Sequence, residues 1–300
     1  MSYSFNTGEE LEALCRAEGL TIAEVMIRCE IEKSERSRDD IVNEMFNYLL
    51  VMQKAIRTGI DEAQQTVTGL AGDNAEKMFR YAPKANMGED MAKICAAALA
   101  VVEVNASMGK IVATPTAGAS GVLPAVLVMC SEKHSFSDRD LVNGLFAAGA
   151  IGIIIAKNAC ISGAQGGCQA EVGSGSAMAA AALAELCGAE PKACLDAAAI
   201  ALKNVMGLVC DPVAGLVECP CIKRNAMGAA NAVLAADMVL AGIESIIPFD
   251  EVVVAMKSVG RLMSSDLRET ARGGVAATPT ARSIAQRIGL VLPDEKKNGD

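Results

Sequence analysis

The 300-residue chain has no tryptophan, 3% aromatic residues overall and a single histidine, His134. It also lacks a basic excess: 27 Lys and Arg face 36 Asp and Glu, a net charge of −9. No basic stripe is interleaved with aromatics, so the footprint of nucleic-acid binding is missing. One histidine leaves no His-rich zinc pattern. Sustained period-two alternation is absent too, which argues against half-buried strands. The start, Met1 to Thr7, is polar and runs into Glu9 and Glu10, unlike a secretory signal. A cytoplasmic location is therefore expected, with an acidic surface that suits solubility. The stretch Ile111 to Cys130 is uncharged and long enough to span a bilayer, but Pro115 and Pro124 interrupt it. It reads as a buried loop and a helix start, Leu141 to Ala156 is shorter and ends at Lys157, and no membrane role is expected.

What is abundant is apolar and small. Hydrophobic residues make up 52% of the chain, almost all Ala, Leu, Ile, Val, Met and Cys. Ala, Leu and Met favour helices, and Ala-rich faces let helices approach closely. The expectation is an all-α, compact multi-helix bundle of ten or more helices. Residues 1–300 would form a single helical domain, with a charged, disordered tail at about 293–300. The first sixty residues predict three helices. Thr7 with Glu10 and Thr21 with Glu24 match the capping box. Ser37 precedes a longer helix, for which Gly59 offers a C-terminal stop. Residues 61–90, punctuated by Gly69, Gly72, Pro83 and Gly88, read as a loop-rich connector. Apolar helical segments follow at 91–108, 117–131, 138–157, 175–188, 191–208, 225–243, 249–264 and 279–289. Thr114-Pro115-Thr116 is echoed by Thr278-Pro279-Thr280, and both suggest an N-cap and first helical turn.

Three polar, Gly- or Pro-rich segments lie between these apolar helices: 114–121, 162–173 and 207–225. Buried loops leave backbone groups needing partners, which calls for a reason such as a site. Eleven cysteines, an odd number, do not read as a disulfide framework in a chain of this kind. Cys15 and Cys29 fall on apolar helical faces and are assigned to the core. Cys95, Cys130, Cys160, Cys187 and Cys194 are read the same way. Cys168, Cys210, Cys219 and Cys221 instead sit in the polar segments, where a thiolate is available to metal. Their spacing matches neither paired zinc ligands nor a ferredoxin run, so the residues alone indicate a soft-metal site and no particular metal.

The segments read TPTAGASGVLPAVL from Thr114, SGAQGGCQAEVG from Ser162, GLVCDPVAGLVECPCIKRN from Gly207 and LRETARGG from Leu267. In this order they resemble the signature blocks of the iron–sulfur L-serine dehydratases, over roughly residues 20–285. The resemblance implies an all-helical catalytic domain with a [4Fe–4S] cluster held by inter-helix loops through Cys168, Cys210 and Cys221. Cys219 does not match a ligand position and is a spare or substitute donor. It also implies conversion of L-serine to pyruvate and ammonia, with an open iron as Lewis acid. Thr114, Thr116, Gly118 and Ser120 are the expected substrate-carboxylate donors, with the amides of Gly118 to Gly121. Arg224 and Asn225 are expected to orient substrate or cluster, and Lys157 is a weaker candidate. The base that takes the α-proton is not identified. The family's fused form carries an extra domain with a serine–histidine motif that has no counterpart in this chain, and some members end in a cysteine where this one ends in Gly299-Asp300. A separate β subunit is therefore the expected partner, in a hetero-oligomer. The rival readings are a related cysteine desulfidase and a cluster-bearing subunit without activity of its own.

Overall fold

The computed structural model describes residues 2–290, so the expected tail at 293–300 lies outside the described residues. Thirteen α-helices run through them: α1 (Gly8–Glu18), α2 (Ile22–Ser34), α3 (Arg38–Asp61), α4 (Asn74–Tyr81), α5 (Glu89–Ala106), α6 (Val122–His134), α7 (Asp138–Asn158), α8 (Gly163–Gly166), α9 (Cys168–Leu186), α10 (Pro191–Asn204), α11 (Cys221–Leu240), α12 (Phe249–Leu262) and α13 (Pro279–Arg287). No strand occurs among the described residues, and one isolated bridge pairs Cys210 with Arg268. The fold is all-α, as the composition suggests.

Helix α9 is the axis. It is buried along its length except at Glu171, Glu185 and Leu186, as expected for a helix that is apolar or small on every face. Helices α7, α10 and α11 pack round it, with α6 and α12 completing the shell. Its run of Ala177 and Ala179–Ala182 presents methyl groups only, which lets these neighbours come close. Helix α7 is long and apolar enough to cross a membrane by composition, but two thirds of its most apolar window is buried inside the bundle. Helices α3, α4 and α11 pack against α5 to form the other half of the core.

The structure departs from several sequence expectations. The threonines of both N-terminal capping boxes do cap: Thr7 accepts from the Glu10 amide and Thr21 from the Glu24 amide. The glutamates do not return the bond. Glu10 accepts from the Asn6 amide, and Glu24 is taken by Arg28 and Arg38. A reciprocal box forms instead at Ser137 and Asp140, at the start of α7. Gly59 does not stop α3, which continues to Asp61. A Cβ there would stand 2.6 Å from the Ala100 carbonyl oxygen, so this glycine lets α3 rest on α5. The connector at 61–90 holds a helix, α4, because its start is capped from far away. Buried Glu103 on α5 accepts from the amides of Gly72, Asn74 and Ala75 and from the Asn74 side chain, at 2.7–3.1 Å. Such a cap also places negative charge at the positive end of the helix. Cys15, Cys29, Cys95, Cys130 and Cys194 are buried as expected, whereas Cys160 and Cys187 are half-buried.

Replacing Glu103 with Ala strands donors that lie in the core. Stability should fall by about 2–3 kcal/mol. Removing Glu76, whose pairing with Arg80 is solvent-facing, should change it by less than about 0.5 kcal/mol. Urea unfolding of the two variants checks this, and equal effects would show that the cap does not hold α4 down.

Candidate metal centre and active site

Three side chains bring their ligand atoms within 4.8 Å of one another: Cys168, Glu171 and Cys210. Two of them come from one helix turn. Cys168 is the first residue of α9, and Glu171, three residues on, falls on the same face. The expected loop at 162–173 is therefore mostly helix, made of the single turn α8 and the first residues of α9. Between the two donors Gln169, fully buried, fixes the neighbouring loop. Its amide oxygen accepts from the Gly207 amide, its side-chain nitrogen donates to the Met256 carbonyl, and its own backbone N–H donates to Leu208.

Cys210 reaches the same point from the loop at 207–220. Its backbone N–H donates to the Leu267 carbonyl at 2.9 Å, and its carbonyl accepts from Glu269 at 2.6 Å. The fourth sequence block, 267–274, thus clamps the cysteine into place. Asp211 extends the clamp by accepting from the Val275 amide at 2.6 Å. Gly163 faces the centre: a Cβ there would lie 2.6 Å from Glu171 Oε2 and 2.7 Å from Cys210 Sγ. Only glycine leaves the donors room.

Cys221 begins α11 and is buried. It stands outside the tightest group of three, yet the charges of Cys168 and Glu171 both act on its thiol. Arg224, one turn along α11, sends its guanidinium to this centre. It lies 3.6 Å from Cys168 Sγ, donates to the Val209 carbonyl at 2.8 Å and pairs with Asp211 at 2.8 Å. The electrostatics follow. A hydrogen bond from the Cys210 thiol, aided by Arg224, holds Cys168 below the usual thiol range. The same bond and burial push Cys210 up. Burial pushes Cys221 up despite its place at a helix N-terminus. Burial likewise raises Glu171, against the hydrogen bond from Thr116. A bound metal would favour the deprotonated form of these donors.

The first block forms one wall. Thr116 Oγ1 donates to Glu171 Oε1 at 2.9 Å, and the Gly118 Cα faces the same carboxylate. Thr114 is buried and directs its hydroxyl toward the Ser120 carbonyl at 3.4 Å, while Ser120 donates to Ala117. Thr114-Pro115, joined by a cis peptide bond, does not start a helix: α6 begins at Val122. The echoing Thr278-Pro279 does start one, with Thr278 accepting from the Ala281 amide. Asn225 stitches the wall to α11, donating to the Gly118 and Cys221 carbonyls and accepting from the Gly121 amide, at 2.7–2.9 Å. Both ends of this amide are engaged with the protein. Cys219 is half-buried and precedes a cis proline, Pro220. Lys157 is tied to Phe5 and Asn6 at the N-terminus. His134 ends α6 as an exposed ring stacked on Phe136. Glu171 was not singled out by sequence reasoning, although its i+3 spacing from Cys168 was the available signal.

The class this geometry defines is a helical protein with a thiol-rich candidate metal centre between its helices. The family model described as serine dehydratase alpha chain matches residues 17–276. The probable L-serine dehydratase alpha chain of Bacillus subtilis is 49% identical, covering 95% of each chain. The L-serine dehydratase alpha chain of Peptoniphilus asaccharolyticus is 44% identical over 93% of this chain and 96% of its own. An L-serine dehydratase of Streptomyces coelicolor is 41% identical over 92% of this chain but 61% of its own length. The chain belongs to the serine dehydratase alpha-chain family.

The Arg224–Asp211 pair can be tested without metal. Arg224→Met leaves a buried aspartate unpaired and should lower stability of the reduced, metal-free protein by about 3 kcal/mol. Adding Asp211→Asn should recover much of that loss. A double variant no more stable than Arg224→Met, in chemical unfolding, would show that the pair does not carry the arginine's contribution.

Proposed function

We propose that the chain is the catalytic subunit of an iron–sulfur L-serine dehydratase, which removes water from L-serine and releases pyruvate and ammonia. The observation that carries this reading is the meeting of Cys168 and Cys210, from separate segments, at one buried point with Cys221 and Arg224 beside it. The donors suit a [4Fe–4S] cluster held by Cys168, Cys210 and Cys221: thiols are the soft ligands such clusters take, and Gly163 keeps the space clear. When bound, the cluster would supply a Lewis acid for the substrate hydroxyl and carboxylate.

The protein's own residues divide the remaining work. Arg224 balances charge at Cys168 and holds the Val209–Asp211 segment. Gln169 and the 267–275 clamp fix Cys210. The wall from Thr114 to Gly121, steadied by Asn225, is the substrate side, where Thr116 and Gly118 stand nearest the centre; Thr114 and Ser120 shape it from within. Loss of water across Cα and Cβ gives aminoacrylate, whose imine form hydrolyses to pyruvate and ammonia. On this reading the chain is one helical catalytic domain working in the cytoplasm, whose reducing milieu keeps its eleven free thiols available. A separate β subunit docks over the rim, where Ala113, Ala117, Ala164 and Gln165 are exposed, and brings the proton-transfer group.

Replacing Cys168, Cys210 or Cys221 with Ser should abolish both bound iron and pyruvate formation. Cys15→Ala and Cys29→Ala should keep the iron. Iron lost on Cys219→Ser but kept on Cys221→Ser would contradict the ligand set. Parallel assays with L-cysteine separate this activity from sulfide elimination.

The reconstituted chain alone should turn over L-serine poorly, and adding the β subunit should restore the rate. His134→Ala should have no effect in the pair. A lone chain as fast as the pair would place the base within these 300 residues.

A further inference from the structure

Three cysteines leave a four-iron group one protein donor short, and the structure has a fourth donor at the same point. Glu171 belongs to the tightest donor group, ahead of Cys221. Its surroundings differ from those of Glu185, the other glutamate on α9. Glu185 accepts from the amides of Ile22 and Ala23 at 2.6 and 3.0 Å, an ordinary cap for α2. Glu171 is held differently, reaching only one amide, that of Gly163 at the start of the single turn α8. Its oxygens meet the Thr116 hydroxyl, the Cys210 thiol at 3.7 Å and the Gly163 backbone. Residues 163 and 118, which face it, are both glycines, whose Cβ atoms would come 2.6 and 3.2 Å from its oxygens. A carboxylate offers about four lone-pair sites, more than these contacts use. It is thus held in place with capacity to spare, on the side where the substrate wall begins.

We propose that Glu171 is an oxygen ligand of the iron group, completing its protein donor set in the absence of substrate. The proposal rests on the cluster reading above and extends it. Oxygen donors hold iron less firmly than thiolates do, so this ligand marks the exchangeable position. Thr116 steadies the carboxylate and lies next to the place where a substrate carboxylate would arrive.

The test follows iron rather than turnover. Wild-type, Glu171→Ala, Glu171→Cys, Thr116→Val and Cys168→Ala proteins are reconstituted anaerobically, analysed for iron, and exposed briefly to oxidant with a chelator. Loss of the first iron is followed by electron paramagnetic resonance. Glu171→Ala should lose it at least about tenfold faster than wild type, or fail to take it up. Glu171→Cys should retain it as well as or better than wild type, because a thiolate replaces the oxygen donor. Thr116→Val, which frees the carboxylate without removing it, should lose the first iron faster than wild type but more slowly than Glu171→Ala. Equal rates in Glu171→Ala and wild type would overturn the proposal. So would a Glu171→Cys protein no better than Glu171→Ala, which would reduce Glu171 to a hydrogen-bond anchor. Full iron in Cys168→Ala would instead overturn the cluster reading beneath it.

Discussion

Acidic donors packed into a dry space repel one another, and the architecture round α9 answers that repulsion. Cys168, Glu171 and Cys210 crowd within 4.8 Å at the buried start of the central helix. The hydrogen bond to Cys168 and burial push Cys210 up, and burial pushes Glu171 up. Arg224 offsets part of the charge from α11, and Asp211 in turn fixes Arg224. A multivalent cation or cluster would offset the rest.

The same physics recurs across the fold at lower stakes. Helix starts leave amides without partners, and distant acidic or amide side chains supply them. Asp250 accepts from Gly8 and Glu9 at α1, Glu185 caps α2, Glu103 caps α4, and Asn225 takes the Gly121 amide just before α6. Each contact joins segments far apart in sequence. These long-range caps hold the loops between helices, and one of them, Asn225, together with Asp211 on the Val275 amide, holds the loops that form the centre. Fold and site are therefore stabilised by one kind of interaction.

The all-helical architecture was legible from composition and periodicity, because Ala-rich faces at three-to-four spacing have few other ways to pack. The three N-terminal helices were legible from Thr7, Thr21 and Ser37. Helix α4 was not, because its cap, Glu103, is 28 or more residues from the amides it serves. Gly59 misled for a related reason: its role is contact with Ala100, which no local pattern reveals. At the centre, the blocks carrying Cys168, Cys210 and Cys221 stood out by their polarity among apolar helices. That Cys168 and Cys221 open helices, and that Glu171 turns back toward Cys210, depended on tertiary packing. So did the difference between Thr114 and Thr278, two similar tripeptides of which one caps a helix and the other lines a wall.

The proposed function requires that the cysteines converge on one iron–sulfur group that meets substrate directly. The most direct measurement is iron and acid-labile sulfide analysis of the anaerobically purified chain, with its absorption spectrum recorded before and after L-serine is added. About four irons and four sulfides per chain are predicted, with a spectrum that changes on adding L-serine. A single tightly bound zinc with little iron, or a full cluster whose spectrum ignores L-serine at any concentration, would contradict it.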